Sequence, residues 1–466
     1  MRIETVGATT MADIAAESVS AGLTARDAAG QVVPGLAQSW RVSDDGLLLL
    51  FRLRPARFAD GTPIVAADVV ASLQRARRSS PLVADLLAGV LTVKAPLPEI
   101  VEMDLVTPQP ELLELLATPA LAVRSVKRPP VDAGPFVVSA TAPAGAGGTP
   151  ARITLRRNPN YPAAAAVEPE TVQLHSGSSD VVGAFLRSEA DLVLGGRLGG
   201  YADARIRARR GTLLLEPAPA VLLLLVNHQA GPLADVRVRR ALALAVDRDS
   251  LGPRLFGSSA AAPVPALSPP AGSASAGGGA DWAGEPLAER QAEARRLLAE
   301  AGVVLPLRLQ VAVTTAPEEE TLLAAVAADL AAVGIDLSLA RRRPEAHAAA
   351  VAKGEFALAL VSRETPYGSP LPFLLPFRCA ANRHAVCVPE ADRLMAEAWQ
   401  APTAAARLSA YAAAERLWAD DVAAIGLVQP LSWALVSPRL DGFSPNAAGV
   451  HPIAALSIVA PRRLRP

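Results

Sequence analysis

The chain has 466 residues, of which 51% are hydrophobic and 19% are charged, a composition typical of a folded globular protein rather than a disordered one. This length exceeds what one hydrophobic core usually serves, so two or three domains are predicted. Lys plus Arg and Asp plus Glu both total 45, which gives a net charge of +0 and removes any global electrostatic argument for binding nucleic acid or an anionic membrane.

Membrane and export signals are not apparent. No apolar run approaches the roughly 18 residues that a membrane-spanning helix needs, and Val221–Val226 is far shorter. The first residues, MRIETVGATTMADIAAES, contain no basic segment followed by an apolar core, so no signal peptide is recognised. Three explanations stay open, namely a leader that was removed, a misplaced gene start, or a cytosolic protein.

The first third of the chain alternates strand and helix patterns. Arg2–Val6 is predicted to be a strand, and Met11–Leu23 has the pattern of a helix. Residues 34–76 predict strand, turn, strand, turn and helix. In this stretch Leu47–Leu53 is short and apolar like a buried strand, and the helix begins near Ala66. Further strands and helices are predicted within 90–121, 153–157 and 184–196.

The second half carries its own α/β pattern. Val221–Asn227 is predicted to be a buried strand, and the helix that follows starts at Asp235, a residue type that caps helices well. A strand at 307–313, a helix at 318–332 and a strand at 334–340 form a β-α-β unit of a mostly parallel sheet. One strand over 425–436 is predicted to return the chain to the first domain.

The sequence offers no support for catalysis or a cofactor. It contains no HExxH, no GxSxG, no P-loop and no GxGxxG after a strand. The five histidines are scattered without the spacing of metal ligands, so a protein metal site, a cofactor and an enzymatic activity are not predicted. A hydrolase would need a nucleophile and a base that the sequence does not provide.

Several phrases nevertheless resemble one family. PGLAQSW, SDDG, FRLRPARFADGTP and AADVVASLQRA occur in order within 34–76, and RNPNY and DVRVRRALALAVDR follow further along. Together they resemble the extracytoplasmic solute-binding proteins of bacterial ABC importers, in particular the dipeptide-, oligopeptide- and nickel-binding family. One departure is Val65, where the family usually has the Ser or Thr that forms a capping box with Asp68. Without that cap, the helix is expected to lose about 1 kcal/mol of stability.

The resemblance implies an α/β, two-lobe periplasmic-binding-protein fold of type II with crossing hinge strands and an extra small subdomain. The implied boundaries are lobe I at 1–31 and 134–220, its small subdomain at 32–133, lobe II at 221–431, and a return to lobe I at 432–466. The implied function is capture of a peptide-like or other small polar solute by lobe closure and its delivery to membrane permease subunits, as a periplasmic monomer. The alternatives are a cytosolic ligand sensor on the same fold and a binder of an opine, a sugar or a metal chelate.

The resemblance also directs attention to residues 358–378 as the ligand-binding segment. Peptide binders of the family commonly place an acid there for the ligand's α-ammonium, whereas this chain has Ser369 at that place. Ordinary peptides with a free amino group are therefore expected to bind less well, because a buried ammonium needs a counter-charge. Glu364 is the candidate that could supply this charge in place of the missing acid. The ligand-binding candidates are Arg363, Glu364, Tyr367, Ser369 and Phe373.

The two cysteines, Cys379 and Cys387, follow directly after this segment. Two unlinked thiols are one interpretation. A small disulfide-closed loop is the other, favoured in an oxidising compartment, and some peptide-binding members of the family carry a pair at this place. Their spacing does not fit a CxxC metal or redox site.

Overall fold

The structure is a computed structural model that describes residues 1–6, 11–127, 130–144, 151–196, 200–258, 260–270, 278–365, 369–380 and 386–459. The chain divides into two compact units. Unit 1 comprises Met1–Glu216 and Ser432–Pro466, and unit 2 comprises Pro217–Leu431. The chain therefore enters unit 2 once and leaves it once. The narrower boundaries given above, including the subdomain at 32–133, stay predictions.

Unit 1 begins with alternating strands and helices. In chain order they are β1 (Arg2–Thr5), α1 (Met11–Val19), β2 (Thr24–Arg26), β3 (Val32–Pro34), β4 (Ala37–Val42), β5 (Leu48–Leu53), α2 (Ala66–Ser79), α3 (Pro81–Leu86), β6 (Val90–Leu97), β7 (Ile100–Leu105), α4 (Leu112–Leu115), β8 (Phe136–Ala142), β9 (Ala151–Arg157), β10 (Thr171–Ser176), α5 (Val181–Leu186), β11 (Leu192–Gly196), α6 (Tyr201–Arg207) and β12 (Leu213–Pro217).

Unit 2 and the returning segment follow. They contain β13 (Ala220–Val226), α7 (Val236–Ala245), α8 (Arg248–Phe256), α9 (Leu287–Glu300), β14 (Leu307–Thr314), α10 (Pro317–Ala331), β15 (Ile335–Arg342), α11 (Pro344–Lys353), β16 (Leu358–Glu364), α12 (Leu371–Leu374), α13 (Pro389–Gln400), α14 (Ala404–Asp420), β17 (Ala424–Val428), β18 (Leu431–Val436), β19 (Leu440–Asp441) and β20 (Ser457–Ile458).

The main sheet of unit 1 has the order β12-β18-β11-β1-β10-β9-β8 in the described part of the chain. Strand β1 pairs in parallel with both β10 and β11, while the pairs β10–β9, β9–β8 and β11–β18 are antiparallel. Ile3, Leu174 and Leu192 from these three strands are fully buried in one apolar core. The returning strand β18 completes this sheet, so unit 1 needs residues from both ends of the chain.

A second sheet of unit 1 has the order β4-β5-β7-β6, and helix α2 packs on it. Val65 occupies the N-cap position of α2 and offers no side-chain acceptor. Its own backbone N–H donates to the Asp68 carboxylate at 3.0 Å, and the N–H of Ala66 donates to the carbonyl of Pro98 at 2.7 Å. The helix start is therefore satisfied partly by the neighbouring strand connection instead of by a capping Ser or Thr.

The sheet of unit 2 has the order β15-β14-β16-β13-β17 among the described residues. Strands β14 and β15 pair in parallel over their full length and are joined by α10, which confirms the predicted β-α-β unit. Strand β13 lies between antiparallel partners, and all of its residues are buried, because AVLLLLV offers apolar side chains to both faces of the sheet.

The prediction of one strand over 425–436 is wrong. The structure has two strands, β17 and β18, separated at Gln429 and Pro430. Strand β17 pairs with β13 in unit 2, whereas β18 pairs with β11 in unit 1. Both segments are apolar, so the hydrophobic pattern continues across the break, and only the pairing partners reveal that the chain changes sheet. Pro430 has no N–H and cannot continue the ladder of β17.

Candidate functional site

The candidate segment begins at the carboxyl end of β16. Arg363 lies opposite Val221, and Glu364 lies opposite Ala220, at the start of β13. Just beyond these pairs, the N–H of Thr365 donates to the carbonyl of Pro219 at 3.0 Å. The candidate residues therefore lie at the end of the sheet where the chain enters unit 2.

The chain leaves unit 2 at the same end of this sheet. The N–H of Ala218 donates to the carbonyl of Pro430 at 2.9 Å, and the side chain of Gln429 donates back to the carbonyl of Ala218, also at 2.9 Å. Gln429 is buried, so this pair of bonds is shielded from water. The segments that enter and leave unit 2 are thus tied to one another beside the end of β16.

Arg363 is held by two aromatic residues that follow it. Its guanidinium carbon lies 4.6 Å from the centre of the Phe377 ring, and Nη1 donates to the carbonyl of Phe373 at 3.3 Å. Burial lowers the pKa of Arg363 to about 10, and the side chain remains charged at neutral pH. In the part of the chain that the structure describes, no carboxylate forms an ion pair with it. Arg363 is a preorganised cation whose described partners are a ring and a carbonyl oxygen.

The other predicted residues are placed differently. Glu364 is exposed and, as the next residue of a strand, points to the face opposite Arg363. Ser369 is buried, and its hydroxyl oxygen accepts from the N–H of Leu371 at 3.3 Å. Tyr367 lies outside the described residues. The structure therefore brings Arg363 and Phe373 into contact and places Glu364 on the other side of β16.

Phe373 is buried in α12, and the 3-10 turn Leu375–Phe377 follows immediately. The ring of Phe377 is also buried and lies 6.1 Å from that of Trp418, whose side chain is fully buried. Phe377 was not among the predicted site residues. The spacing of four between the two phenylalanines in LPFLLPF is the sequence signal that could have indicated it, because residues four apart share a helical face.

The segment is fixed at its far end by a disulfide. Cys379 and Cys387 are bonded, with sulfur atoms 2.12 Å apart. The N–H of Cys379 donates to the Asp392 carboxylate in the first turn of α13 at 3.1 Å. Between β16 and α13 the chain is thus tied at Arg363, at Phe377 and at the disulfide.

Two negative findings concern the described residues. No group of three or more His, Cys, Asp or Glu side chains among them is arranged to hold a metal ion. Across the same part of the chain, none of the helices combines the length and the apolar character needed to cross a membrane.

Comparison with known proteins decides the family. The family described as "Bacterial extracellular solute-binding proteins, family 5 Middle" matches residues 31–384. The chain belongs to family 5 of the bacterial extracellular solute-binding proteins. As a family 5 protein it is the solute-binding component of an ABC importer, and the family consists of binding and transport components. The predicted family and binding function are confirmed, and the cytosolic sensor is the less supported interpretation.

Individual relatives cover nearly the whole family 5 chain. The periplasmic oligopeptide-binding protein OppA of Escherichia coli K12 is 25% identical over 455 residues, which cover 91% of this chain and 84% of OppA. The protein named "Probable deoxycholate-binding periplasmic protein YgiS" of the same strain is 27% identical over 460 residues, with the same coverage of 91% and 84%.

A solved structure confirms the two-lobe α/β fold. The Escherichia coli murein tripeptide binding protein MppA superimposes with a TM-score of 0.84 at 22% identity, and the match covers 98% of each chain. At this identity the likeness concerns the fold and not the solute.

Proposed function

We propose that this family 5 protein captures a small solute that carries a carboxylate, in the first place a short peptide, and delivers it to an ABC permease. The proposed ligand-binding residues are Arg363, Glu364, Tyr367, Ser369 and Phe373. Arg363 binds the carboxylate, and the remaining four are candidates for other contacts with the solute. Capture by lobe closure, as the family resemblance implies, is part of the proposal.

The observation that carries the proposal is that Arg363 has no acidic partner among the described residues. Arg363 is half-buried, and a partly desolvated guanidinium is costly unless a counter-charge and hydrogen-bond acceptors accompany it. Among the described residues it has the carbonyl of Phe373 and the ring of Phe377, and no acid. The planar fork of Arg matches two carboxylate oxygens, so a ligand carboxylate supplies the missing charge with good geometry.

The structure gives less support for a residue that binds the α-ammonium of such a solute. Ser369 stands where the family pattern has an acid, and its hydroxyl oxygen already accepts from Leu371. Glu364 is on the opposite face of β16 from Arg363, so one ligand group does not meet both side chains from the same side. We therefore infer that the carboxylate contributes more to affinity than the α-ammonium does.

The first experiment identifies the solute. The protein is purified gently from its own host, and bound molecules are released by denaturation and analysed by mass spectrometry. Released peptides, or other carboxylates, support the proposal. Bound sugars or metal chelates without a carboxylate contradict the role given to Arg363.

The second experiment tests Arg363 itself by calorimetry with a peptide and its C-terminal amide. Loss of a hydrogen bond to a charged group costs about 1.5–3 kcal/mol, so the amide should bind about 10- to 150-fold more weakly to the wild type. Arg363→Gln should lose a similar factor for the acid and no longer distinguish acid from amide. Arg363→Lys keeps the charge and should recover part of the affinity.

Arg308→Gln is the matched control, because Arg308 is an exposed arginine on the neighbouring strand β14 of the same sheet. It should leave both affinities unchanged. Thermal melts of all variants separate lost binding from lost folding. Equal affinity of the wild type for acid and amide would reject the assignment of Arg363 to a ligand carboxylate.

A non-peptide carboxylate is the second candidate. The absence of an acid at Ser369 favours a solute without an α-ammonium, and the relative YgiS is named as a probable deoxycholate-binding protein. N-acetylated peptides and deoxycholate should then bind as well as free peptides or better. Strong preference for a free amino group would exclude this candidate.

The proposal also includes a periplasmic location and a monomeric state. The disulfide between Cys379 and Cys387 is the kind of bond that persists in an oxidising compartment, and the curated relatives OppA and YgiS are named as periplasmic. Fractionation of the host cells tests the location. Sedimentation of the purified protein tests the monomer, and a stable dimer at micromolar concentration would contradict it.

A further inference from the structure

Unit 1 contains an apolar cavity that lies apart from every residue proposed above to bind solute. It has a volume of about 290 Å³ and lies between α2, the end of α3, the edge strand β6, β7 and α4. Since a water molecule takes about 30 Å³ of liquid volume, the cavity holds about ten water volumes. This volume is close to the roughly 300 Å³ at which small-molecule pockets begin.

Most of the cavity wall is aliphatic, and its polar lining residues are Gln74, Arg77 and Thr92. Leu73 of α2, Met103 of β7, and Leu112 and Leu116 at α4 line it, and each of these side chains is otherwise buried. These aliphatic side chains offer no hydrogen bonds to water, so water beside them is easily displaced by an apolar body. The interior therefore suits a hydrocarbon chain.

Among the described residues that line the cavity, Arg77 on the last turn of α2 is the one with a charged side chain. Its Nη1 donates to the carbonyl of Val90 at 3.3 Å, which directs the guanidinium toward the start of β6. A guanidinium has five N–H donors. No ion pair joins Arg77 to any acid within the ranges that the structure describes. The cavity thus combines an aliphatic interior with one fixed cation at its edge.

The rim carries an exposed apolar residue as well. Leu91 lines the cavity, yet 64% of its surface is accessible to solvent. Leu91 belongs to β6, which among the described strands pairs with β7 alone and forms the edge of its sheet. A ligand that fills the cavity would cover this side chain, which adds apolar burial on binding.

We propose that this cavity is a second binding site, for an aliphatic monocarboxylate of medium chain length. The chain fills the space between α2 and β6, and the carboxylate pairs with Arg77. The site is independent of the solute site proposed at β16, because it shares no residue with it and lies wholly in unit 1. It gives the protein a binding capacity for amphiphilic anions in addition to its captured solute.

The test uses the full-length wild-type chain and a series of straight-chain fatty acids from hexanoate to dodecanoate, titrated by calorimetry below their micelle-forming concentrations. Affinity should rise about fourfold for each added methylene until the cavity is full and then level off. Decyltrimethylammonium, which has the same chain length as decanoate and the opposite charge, should bind at least tenfold more weakly than decanoate.

Two pairs of variants locate the site. Arg77→Gln should weaken decanoate binding at least tenfold, while Arg78→Gln, its exposed neighbour that does not line the cavity, should not. Leu91→Asp should also weaken binding at least tenfold, while Leu97→Asp, which is 54% exposed on the same strand, should not.

Because all four positions are exposed, the variants should fold, and thermal melts check that they do. No decanoate binding at millimolar concentration would overturn the proposal. Binding that neither Arg77→Gln nor Leu91→Asp changes would overturn it too, since decanoate would then occupy another place. Equal affinity for the cationic amphiphile would overturn the role of Arg77.

Discussion

We expect the buried carboxylate of Glu415 to contribute strongly to the stability of unit 2. Glu415 lies on α14 and is fully buried. Its Oε1 accepts hydrogen bonds from the N–H of Leu267 at 2.8 Å, the N–H of Ser268 at 2.7 Å and the hydroxyl of Ser268 at 2.8 Å. Its Oε2 accepts from the N–H of Gly278 at 3.2 Å. One side chain thus holds two stretches of the connection between α8 and α9.

Truncation to alanine removes the acceptor for all four donors at once. Leu267 and Ser268 are themselves buried, so their backbone N–H groups would lose their partner away from water. Each unsatisfied buried donor costs about 1–3 kcal/mol, and we expect Glu415→Ala to lower the free energy of unfolding by about 4 kcal/mol. Glu415→Gln keeps one oxygen acceptor and turns an N–H₂ group toward Gly278, so a loss of about 2 kcal/mol is expected.

The assay is unfolding in guanidinium chloride followed by tryptophan fluorescence, in which Trp282, Trp399 and Trp418 report on unit 2. Glu289→Gln is the matched control, because Glu289 is an exposed glutamate on α9 and should change stability by less than about 0.5 kcal/mol. If Glu415→Ala unfolds within 1 kcal/mol of the wild type, the four hydrogen bonds do not stabilise the fold and the reasoning fails.

Two further predictions concern the backbone and pH. Gly426→Ala should destabilise unit 2 by about 3 kcal/mol or prevent folding, because the new Cβ would lie 2.0 Å from the carbonyl oxygen of Ala266. The control is Gly284→Ala, whose Cβ would meet no atom within 4 Å and which should melt like the wild type. Hydrogen bonds from Arg237 lower the pKa of Asp235 from 3.8 to about 2, so its stabilising contribution is complete above pH 3.8 and is lost as pH falls through 2. Asp235→Asn should therefore lower the melting temperature at pH 7 and by much less at pH 2, and an equal difference at both pH values would contradict the ionic origin.

Much of the fold followed from local pattern. The N-cap of α7 was predicted from the residue type at Asp235, and the structure has its carboxylate accepting from the N–H of Arg237 at 2.8 Å. The β-α-β unit of β14, α10 and β15 was also predicted, because strand and helix periodicities differ clearly over such lengths. The split between β17 and β18 was missed, since both strands are apolar and the change of sheet leaves no mark on the hydrophobic pattern.

The candidate site was predictable only in part. The sequence directed attention to the segment after β16, but it ranked Arg363, Glu364 and Phe373 alike. In the structure Glu364 lies on the face of β16 opposite Arg363, and the ring of Phe377 packs against the Arg363 guanidinium. Which of these residues touch the solute stays a prediction.

By itself the sequence determined the family, the α/β class and the binding function, because short ordered phrases and periodicities are properties of neighbouring residues. The tertiary structure alone decided what depends on distant residues meeting. It tied the entry and the exit of unit 2 together at Ala218 and Pro430, left Arg363 beside two aromatic residues, and opened an aliphatic cavity between Leu73 and Met103. Such features arise from packing across long stretches of chain, where the local pattern carries no record of which side chains become neighbours.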